Sequence, residues 1–210
     1  MNENQFIIIQ GPTKYFGDII DCYKNQPNVI VSTFNYEPPE ALSKLSEFFL
    51  TVTIPFDFHP GLGNLNCQSK TTSAGLYMAK KMGATHALKL RSDMIVSNVP
   101  EFMKVLQQKP RLSFLAWHYD GYLVDYLNYG PIDEMIEFWD IFAVNSNFAE
   151  KNLMNHFYEV KQEQNTTFEN IKTHVDFFLE DLIKMDIHIY WLKYNIDISE
   201  YYKHECYKYK

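Results

Sequence analysis

The chain has 210 residues with a formal net charge of -7; 46% are hydrophobic, 16% aromatic and 21% charged. Those values allow one large domain with a full core and exclude collagen-like, repeat and disordered architectures. The acidic balance argues against a dedicated nucleic-acid binder, which needs an electropositive field to displace counterions from phosphate, but it leaves room for an anion held in a local pocket.

Phe6 to Ile9 reads as a buried strand that ends in the turn Gln10-Gly11-Pro12-Thr13, and Asp18 to Lys24 carries Ile19, Ile20 and Tyr23 at helical spacing. Val29 to Thr33 is a second strand, Glu40 to Phe49 a helix entered through Pro38-Pro39, and Phe49 to Ile54 a third strand. A long loop with Pro55, Pro60, Gly61 and Gly63 precedes a helix from Thr71 to Met82, closed by Gly83. His86 to Leu90 is then a strand running into the charged turn Arg91-Ser92-Asp93. Three β-α repeats of this kind predict an α/β fold with a mostly parallel sheet. Ligands of such sheets bind at the carboxyl ends of the strands, so Gln10 to Thr13, Thr33 to Glu37 and Arg91 to Asp93 are expected around one crevice.

The second half is less regular and more aromatic. It predicts strands over Leu112 to Trp117, Phe142 to Asn145 and Ile187 to Leu192, a short helix over Asp133 to Trp139, and a helix over His174 to Met185. That last helix sets Val175, Phe178, Leu179 and Leu182 on one face, with Asp176 and Glu180 four apart beside it. Neither repeats nor a clear linker divide the chain, so one domain is expected, with a nucleotide-binding half over residues 1–100 and an acceptor-binding half over 101–210.

Cys22, Cys67 and Cys206 are few, odd in number and far apart, which indicates neither a disulfide framework nor a metal knot and points to a reducing compartment. No leader-like start and no apolar run of about 20 residues is present, so a cytoplasmic protein is expected, and Asn165-Thr166-Thr167 reads as a chance match to a glycosylation site.

Asp93 stands one residue past a buried strand, where carboxylates hold a divalent cation that bridges diphosphate oxygens, and Arg91 beside it can grip the same oxygens. The same i, i+2 spacing also lets Arg91 and Asp93 pair with each other. Gln10, Gly11 and Pro12 lack the G-x-G-x-x-G and P-loop patterns but can offer backbone groups to a base or ribose. Asn66, Gln68 and Lys70 alternate just before a helix start, which suits either a ribose-phosphate contact or a solvated polar loop. The seven histidines form no zinc-hydrolase pattern, and no G-x-S-x-G elbow occurs. Aromatic residues between Trp117 and Trp139 are core, or a stacking surface for sugar rings where they line a cleft.

The series Ile7-Ile8-Ile9-Gln10-Gly11-Pro12, Val31-Ser32-Thr33-Phe34, Asn66-Cys67-Gln68, Gly75-Leu76 and Leu88-Lys89-Leu90-Arg91-Ser92-Asp93-Met94 resembles nucleotide-sugar glycosyltransferases of the GT-A fold. The nearest likeness is to WavE-type proteins of lipopolysaccharide synthesis, and Asp125 to Gly130 with Asp133-Glu134-Met135 and Trp139 is similar to their second block. The resemblance implies a GT-A-type, Rossmann-like single domain that moves a sugar from a nucleoside diphosphate donor to a glycan or glycoconjugate acceptor, usually with Mn²⁺ or Mg²⁺. It implies donor contacts from Gln10, Gly11, Pro12, Thr33, Asn66, Gln68, Lys70, Arg91 and Asp93. Arg91-Ser92-Asp93 would occupy the place of the family's Asp-x-Asp motif, with Asp93 as the metal ligand and Arg91 where the first acid belongs. Cys67 stands where related sequences are expected to carry Arg. Asp176 resembles a helix-start acid that serves as base in inverting transferases, with Asp125 and Asp133 as rivals. A sugar-phosphate nucleotidyltransferase is the competing enzyme class, although its glycine-rich loop is missing from Gln10 to Lys14; a non-catalytic nucleotide- or sugar-binding module is the third reading.

Overall fold

In the computed structural model, which describes residues 4–118, 122–143, 149–161 and 168–205, the first half alternates strand and helix. Its elements are β1 (Gln5–Gln10), α1 (Phe16–Tyr23), β2 (Val29–Phe34), α2 (Pro39–Ser46), β3 (Leu50–Ile54), α3 (Leu65–Lys81) and β4 (His86–Arg91). Then come β5 (Met94–Val96), α4 (Val99–Gln107), β6 (Ser113–Phe114), β7 (Trp117–His118), β8 (Tyr122–Leu123), β9 (Leu127–Pro131), α5 (Ile132–Trp139) and α6 (Ala149–Lys161). The chain continues through α7 (Phe168–His174), β10 (Asp176–Phe177), α8 (Leu179–Lys184), β11 (Ile189–Trp191), β12 (Ile196–Asp197) and α9 (Ile198–Glu205).

One seven-stranded sheet, in the order β3-β2-β1-β4-β9-β6-β10, runs through both halves of the sequence. All its strands are parallel except β9, which lies antiparallel to β4 and to β6. The chain is thus the single α/β domain with a mostly parallel sheet that the β-α repeats predict. Every residue of β1 and β2 is buried, as strands covered on both faces must be. The two faces feed different cores: Ile7 and Ile9 pack with Ile19, Leu88, Leu90, Phe102 and Phe178, while Ile8 packs with Ile30, Leu76, Phe114, Trp139 and Phe157. At α3 the approach to the sheet is close enough that a Cβ on Gly75 would lie 2.5 Å from Ile8 Cγ2 and 3.2 Å from Ser32 Cβ. No side chain fits there, so the glycine lets this helix sit down on β1 and β2.

The second half departs from its expected elements in several places. Strand β9, inserted between β4 and β6, and helices α4, α6 and α7 have no counterpart in the sequence reading. Helix α3 begins six residues before the expected Thr71, so Asn66, Gln68 and Lys70 lie within its first two turns. The helix expected over His174 to Met185 is broken instead: Asp176 N bonds Leu112 O at 3.0 Å, Phe178 N bonds Phe114 O at 3.2 Å and Leu179 N bonds Leu115 O at 3.1 Å. Val175 to Phe178 is β-branched and aromatic, and the exposed edge of β6 satisfies its backbone as an added strand before α8 begins. Of the strand expected over Phe142 to Asn145, residues 142 and 143 are not in a strand and 144–145 lie outside the described residues. Cys206 and Asn165-Thr166-Thr167 also lie outside them.

Candidate functional site

In a doubly wound sheet the ligand crevice opens where strand order reverses, beyond the carboxyl ends of the strands. Here that point is between β1 and β4, and a crevice of about 480 Å³ lies there. Its lining comes from the ends of four strands and one helix: Gln10, Gly11 and Pro12 after β1, Phe34 and Tyr36 at β2, Phe56 after β3, Arg91, Ser92 and Asp93 at β4, and Cys67, Gln68 and Thr71 on α3. Lys14 and Lys193 also line it, with Tyr15 and the loop residues Pro60, Gly63 and Asn64.

The strand ends are tied together. Ser92 N donates to Gln10 O at 2.8 Å, Ser92 Oγ to Pro12 O at 2.7 Å, and Gly11 N to Ser32 O at 3.2 Å. Gly11 adopts φ 124°, and a Cβ there would meet Ser92 Oγ at 2.7 Å, so this turn needs its glycine. Thr13 donates through N and Oγ1 to Glu37 Oε2 at 2.9 and 2.7 Å, which joins the loops after β1 and β2. The turn is therefore a fixed wall of backbone groups.

Arg91 and Asp93 pair with each other. Arg91 Nε donates to Asp93 Oδ1 at 2.9 Å and Nη2 to Oδ2 at 2.8 Å, and Trp191 Nε1 donates to the same Oδ2 at 2.9 Å. The guanidinium carbon lies 5.6 Å from the centre of the Tyr126 ring and 5.1 Å from that of Trp191, two rings that also touch each other. Burial pushes the Asp93 carboxyl up, but the hydrogen bonds and charge of Arg91, with the Trp191 indole, outweigh it and hold the carboxyl below its ordinary value. Burial likewise opposes the charge on Arg91, and Asp93 outweighs it, so the guanidinium sits above its ordinary value.

Beneath Arg91, on the same face of β4, Lys89 is fully buried. Its Nζ donates to Asp125 O at 2.9 Å and lies 4.3 Å from the centre of the Trp139 ring. Burial lowers its pKa to about 7, against the opposing pull of Asp125. Asp125, 1% exposed, has both carboxylate oxygens buried without a hydrogen bond. Glu150, in the first turn of α6, is close enough to feel Asp125, Arg91 and Lys89, and burial followed by the Asp125 charge raises its pKa. Buried polar atoms left unpaired are uncommon and concentrate at functional sites, which marks this cluster.

The expected site residues divide. Gln10, Gly11, Pro12, Gln68, Arg91 and Asp93 meet at the crevice, and Gln68 Oε1 is a buried acceptor with no partner. Asn66 does not face a ligand: its Nδ2 donates to Ala143 O at 2.8 Å and its Oδ1 accepts from Ala143 N at 2.8 Å, which fixes the chain after α5 to α3. Thr33 is buried in β2 away from the lining, and Lys70 is exposed with its Nζ 5.8 Å from the Phe142 ring centre. Because β9 runs antiparallel, pairing Leu127 with Leu90 and Pro131 with His86, Asp125 comes to the crevice edge of the sheet. The same reversal carries the start of α5 to the opposite edge, where Asp133 is exposed and pairs with Lys80 at 2.6 Å. Asp176 sits in β10, three strands from β4, paired with Arg111 at 2.5 Å. It is neither at a helix start nor beside the crevice lining.

Sequence reasoning placed Phe34 and Tyr36 at the crevice within Thr33 to Glu37 but missed Lys89, Glu150, Trp191, Tyr126 and Phe56 after β3. Tyr36 is 61% and Phe56 43% exposed; Phe34 and Tyr36 stack at 5.3 Å, and Phe56 meets both edge-on. Two signals were available: aromatic residues two apart just past a buried strand, and a lysine in the middle of the apolar run Ala87-Leu88-Lys89-Leu90. The aromatic residues expected as a sugar surface, by contrast, include Trp139, which is buried under Lys89.

A divalent cation of the kind implied by the GT-A resemblance does not fit the residues present. The two oxygens of Asp93 accept three hydrogen bonds from Arg91 and Trp191, and no group of three or more His, Cys, Asp or Glu able to hold a metal occurs among the described residues. Asp93, expected either as a metal ligand or as the partner of Arg91, makes the pairing with Arg91 in this structure. Among the described residues no helix is long and apolar enough to cross a membrane.

Fold and crevice together define an open α/β domain of Rossmann type with an anion-suited pocket at its switch point. No protein-family model matches the chain, and no curated protein sequence matches it. Among solved structures, an inferred nucleotide-diphospho-sugar transferase from Desulfovibrio desulfuricans G20 is similar over 76% of this chain and 78% of its own, with TM-score 0.49 and 10% identity. A likeness of that degree says nothing of substrate or family.

Proposed function

We propose that the chain is a glycosyltransferase that uses a nucleoside diphosphate sugar and passes the sugar to a glycan or glycoconjugate acceptor. The observation that supports this most is the crevice itself, with Arg91 and two lysines for a diphosphate and the rings of Tyr36 and Phe56 at the β2 and β3 ends for a base. A base stacked on an aromatic side chain gains about 1–3 kcal/mol, and charge-assisted bonds to phosphate are the stronger class of hydrogen bond. The motif likeness to WavE-type proteins agrees with this reading. A sugar-phosphate nucleotidyltransferase is disfavoured by the single glycine between Gln10 and Lys14.

Transfer with inversion needs a carboxylate that takes the proton from the acceptor hydroxyl as that oxygen attacks the anomeric carbon. We assign this role to Asp125, whose carboxylate is buried and unpartnered outside the crevice lining with Glu150 nearby, so that acceptor binding must uncover it before the proton can pass. Arg91 stabilises the departing diphosphate, because its guanidinium is already oriented by Asp93 and needs no rearrangement as charge develops.

The direct test is thermal unfolding across a panel of nucleoside diphosphate sugars. A ligand at a hundred times its Kd adds about 2.7 kcal/mol to stability, enough to raise Tm by several degrees, and a panel in which none does so overturns the reading. With the donor identified, Asp125→Asn should keep donor affinity and lose about 10²–10⁴-fold in transfer rate. Transfer at the wild-type rate would remove Asp125 from the mechanism.

A further inference from the structure

A divalent cation that a protein holds against a diphosphate is gripped by open carboxylate oxygens, and Asp93 has three of its roughly four acceptor positions already taken. Its two oxygens form a fork with Arg91 Nε and Nη2, and Trp191 adds a third donor to Oδ2. Arg91 is held in place by this fork and by cation–π contact with the adjoining Tyr126 and Trp191 rings, whose centres lie 4.9 Å apart. Arg91 Nη1 makes no hydrogen bond among the described residues, and Arg91 lines the crevice. The cations Lys14 and Lys193 line it too, are exposed, and form no ion pair among the described residues. Asp93 is the one acid among the lining residues; Asp125 and Glu150 lie outside that lining, and no group of acids able to hold a metal occurs among the described residues. The wall thus carries three cations against one carboxylate in a chain whose net charge is -7.

We propose that Asp93 positions Arg91 rather than binding a cation, and that the crevice takes the diphosphate of a nucleotide on Arg91, Lys14 and Lys193 with no divalent metal required. The inference rests on the nucleotide-sugar reading above and specifies how that site handles charge. Asp93 is a positioning residue here: it fixes the plane and direction of a guanidinium whose free edge meets the phosphate oxygens in the geometry that a fixed fork provides and a lysine cannot.

The experiment is calorimetric titration of the full chain with UDP, GDP and ADP, each in EDTA and again in Mn²⁺. At least one nucleotide should bind, with the same Kd in both buffers to within about twofold, a difference under 0.5 kcal/mol. Arg91→Lys should weaken that binding about tenfold or more in both buffers, because it keeps the charge and loses the fork. Asp93→Asn should weaken it by a similar factor in both, as a positioning role demands. Trp191→Phe, which keeps the ring and removes the donor to Asp93, gives the same readout should Asp93→Asn not fold. A tightening of about tenfold or more by Mn²⁺ that Asp93→Asn abolishes would overturn the inference and leave the nucleotide reading standing. No binding of any nucleotide in either buffer would overturn the nucleotide reading and the inference with it.

Discussion

Lys89 keeps its ammonium beneath the crevice with one carbonyl partner and an indole face, and burial holds its pKa down to about 7. An unfolded lysine keeps its proton to about 10.4, so between those values the unfolded chain binds more protons and stability rises with pH. The burial penalty is fully present below about pH 7 and is relieved as pH climbs toward 10. We therefore expect urea unfolding to show stability growing from pH 7 to pH 9.5 in the native chain, and Lys89→Met to remove most of that slope; an unchanged slope would place the titration elsewhere. Arg91 and Asp93 were legible in the sequence as a pair, because alternate residues at a strand end share a face. Trp191, which adds a third donor to the Asp93 carboxylate, was not, because it reaches Asp93 from 98 residues away through a separate small sheet of β5, β11 and β12.

Elements with one apolar face and a plain terminus were read correctly, α5 and the first three strands among them. Helix α3 was read late because its first turns bury polar groups: Asn66 and Ser69 are inside, bonded to backbone at 139, 141 and 143, and hydrophobic periodicity cannot see a helix held that way. Further along the same helix, Gly75→Ala should test the closeness of packing. The added Cβ would lie 2.5 Å from Ile8 Cγ2, a contact that forces the helix or strand to move. Alanine raises helix propensity by about 1 kcal/mol, yet overpacking of this kind costs about 1–3 kcal/mol, so the urea midpoint should fall. A rise would mean that α3 shifts freely on the sheet. The break between α7 and α8 was illegible for a different reason, since Val175 to Phe178 fits a helical stripe and a strand equally well and only the unpaired edge of β6 selects the strand.

At the scale of the molecule, an acidic chain presents a basic crevice, and the two signs act at different ranges. Screening reaches about 10 Å at 0.1 M salt, so the net charge of -7 repels a dianion over longer distances only when salt is low, while Arg91 and the lysines act at contact. Nucleotide association rates should therefore fall only weakly with added salt between about 0.02 and 0.15 M, or even rise, which stopped-flow mixing would measure; a steep fall would indicate a steering field over the whole surface. The parallel half of the sheet and the position of its crevice followed from β-α alternation alone. The antiparallel β9 did not, although it is what sends Asp125 to one edge of the sheet and Asp133 to the other.

The three tryptophans also divide the molecule optically. Trp139 has a titrating ammonium 4.3 Å above its ring, Trp191 has a guanidinium that keeps its charge, and Trp117 lies in the small β7–β8 sheet. Emission from Trp139 should change in the native chain with a midpoint near pH 7, where Lys89 loses its proton, and that change should vanish in Lys89→Met. Trp191 should be blind to the same titration and respond to occupation of the crevice. The fold thus sets one indole beside a buried proton and another beside the proposed anion site, and single-tryptophan variants would read each in turn.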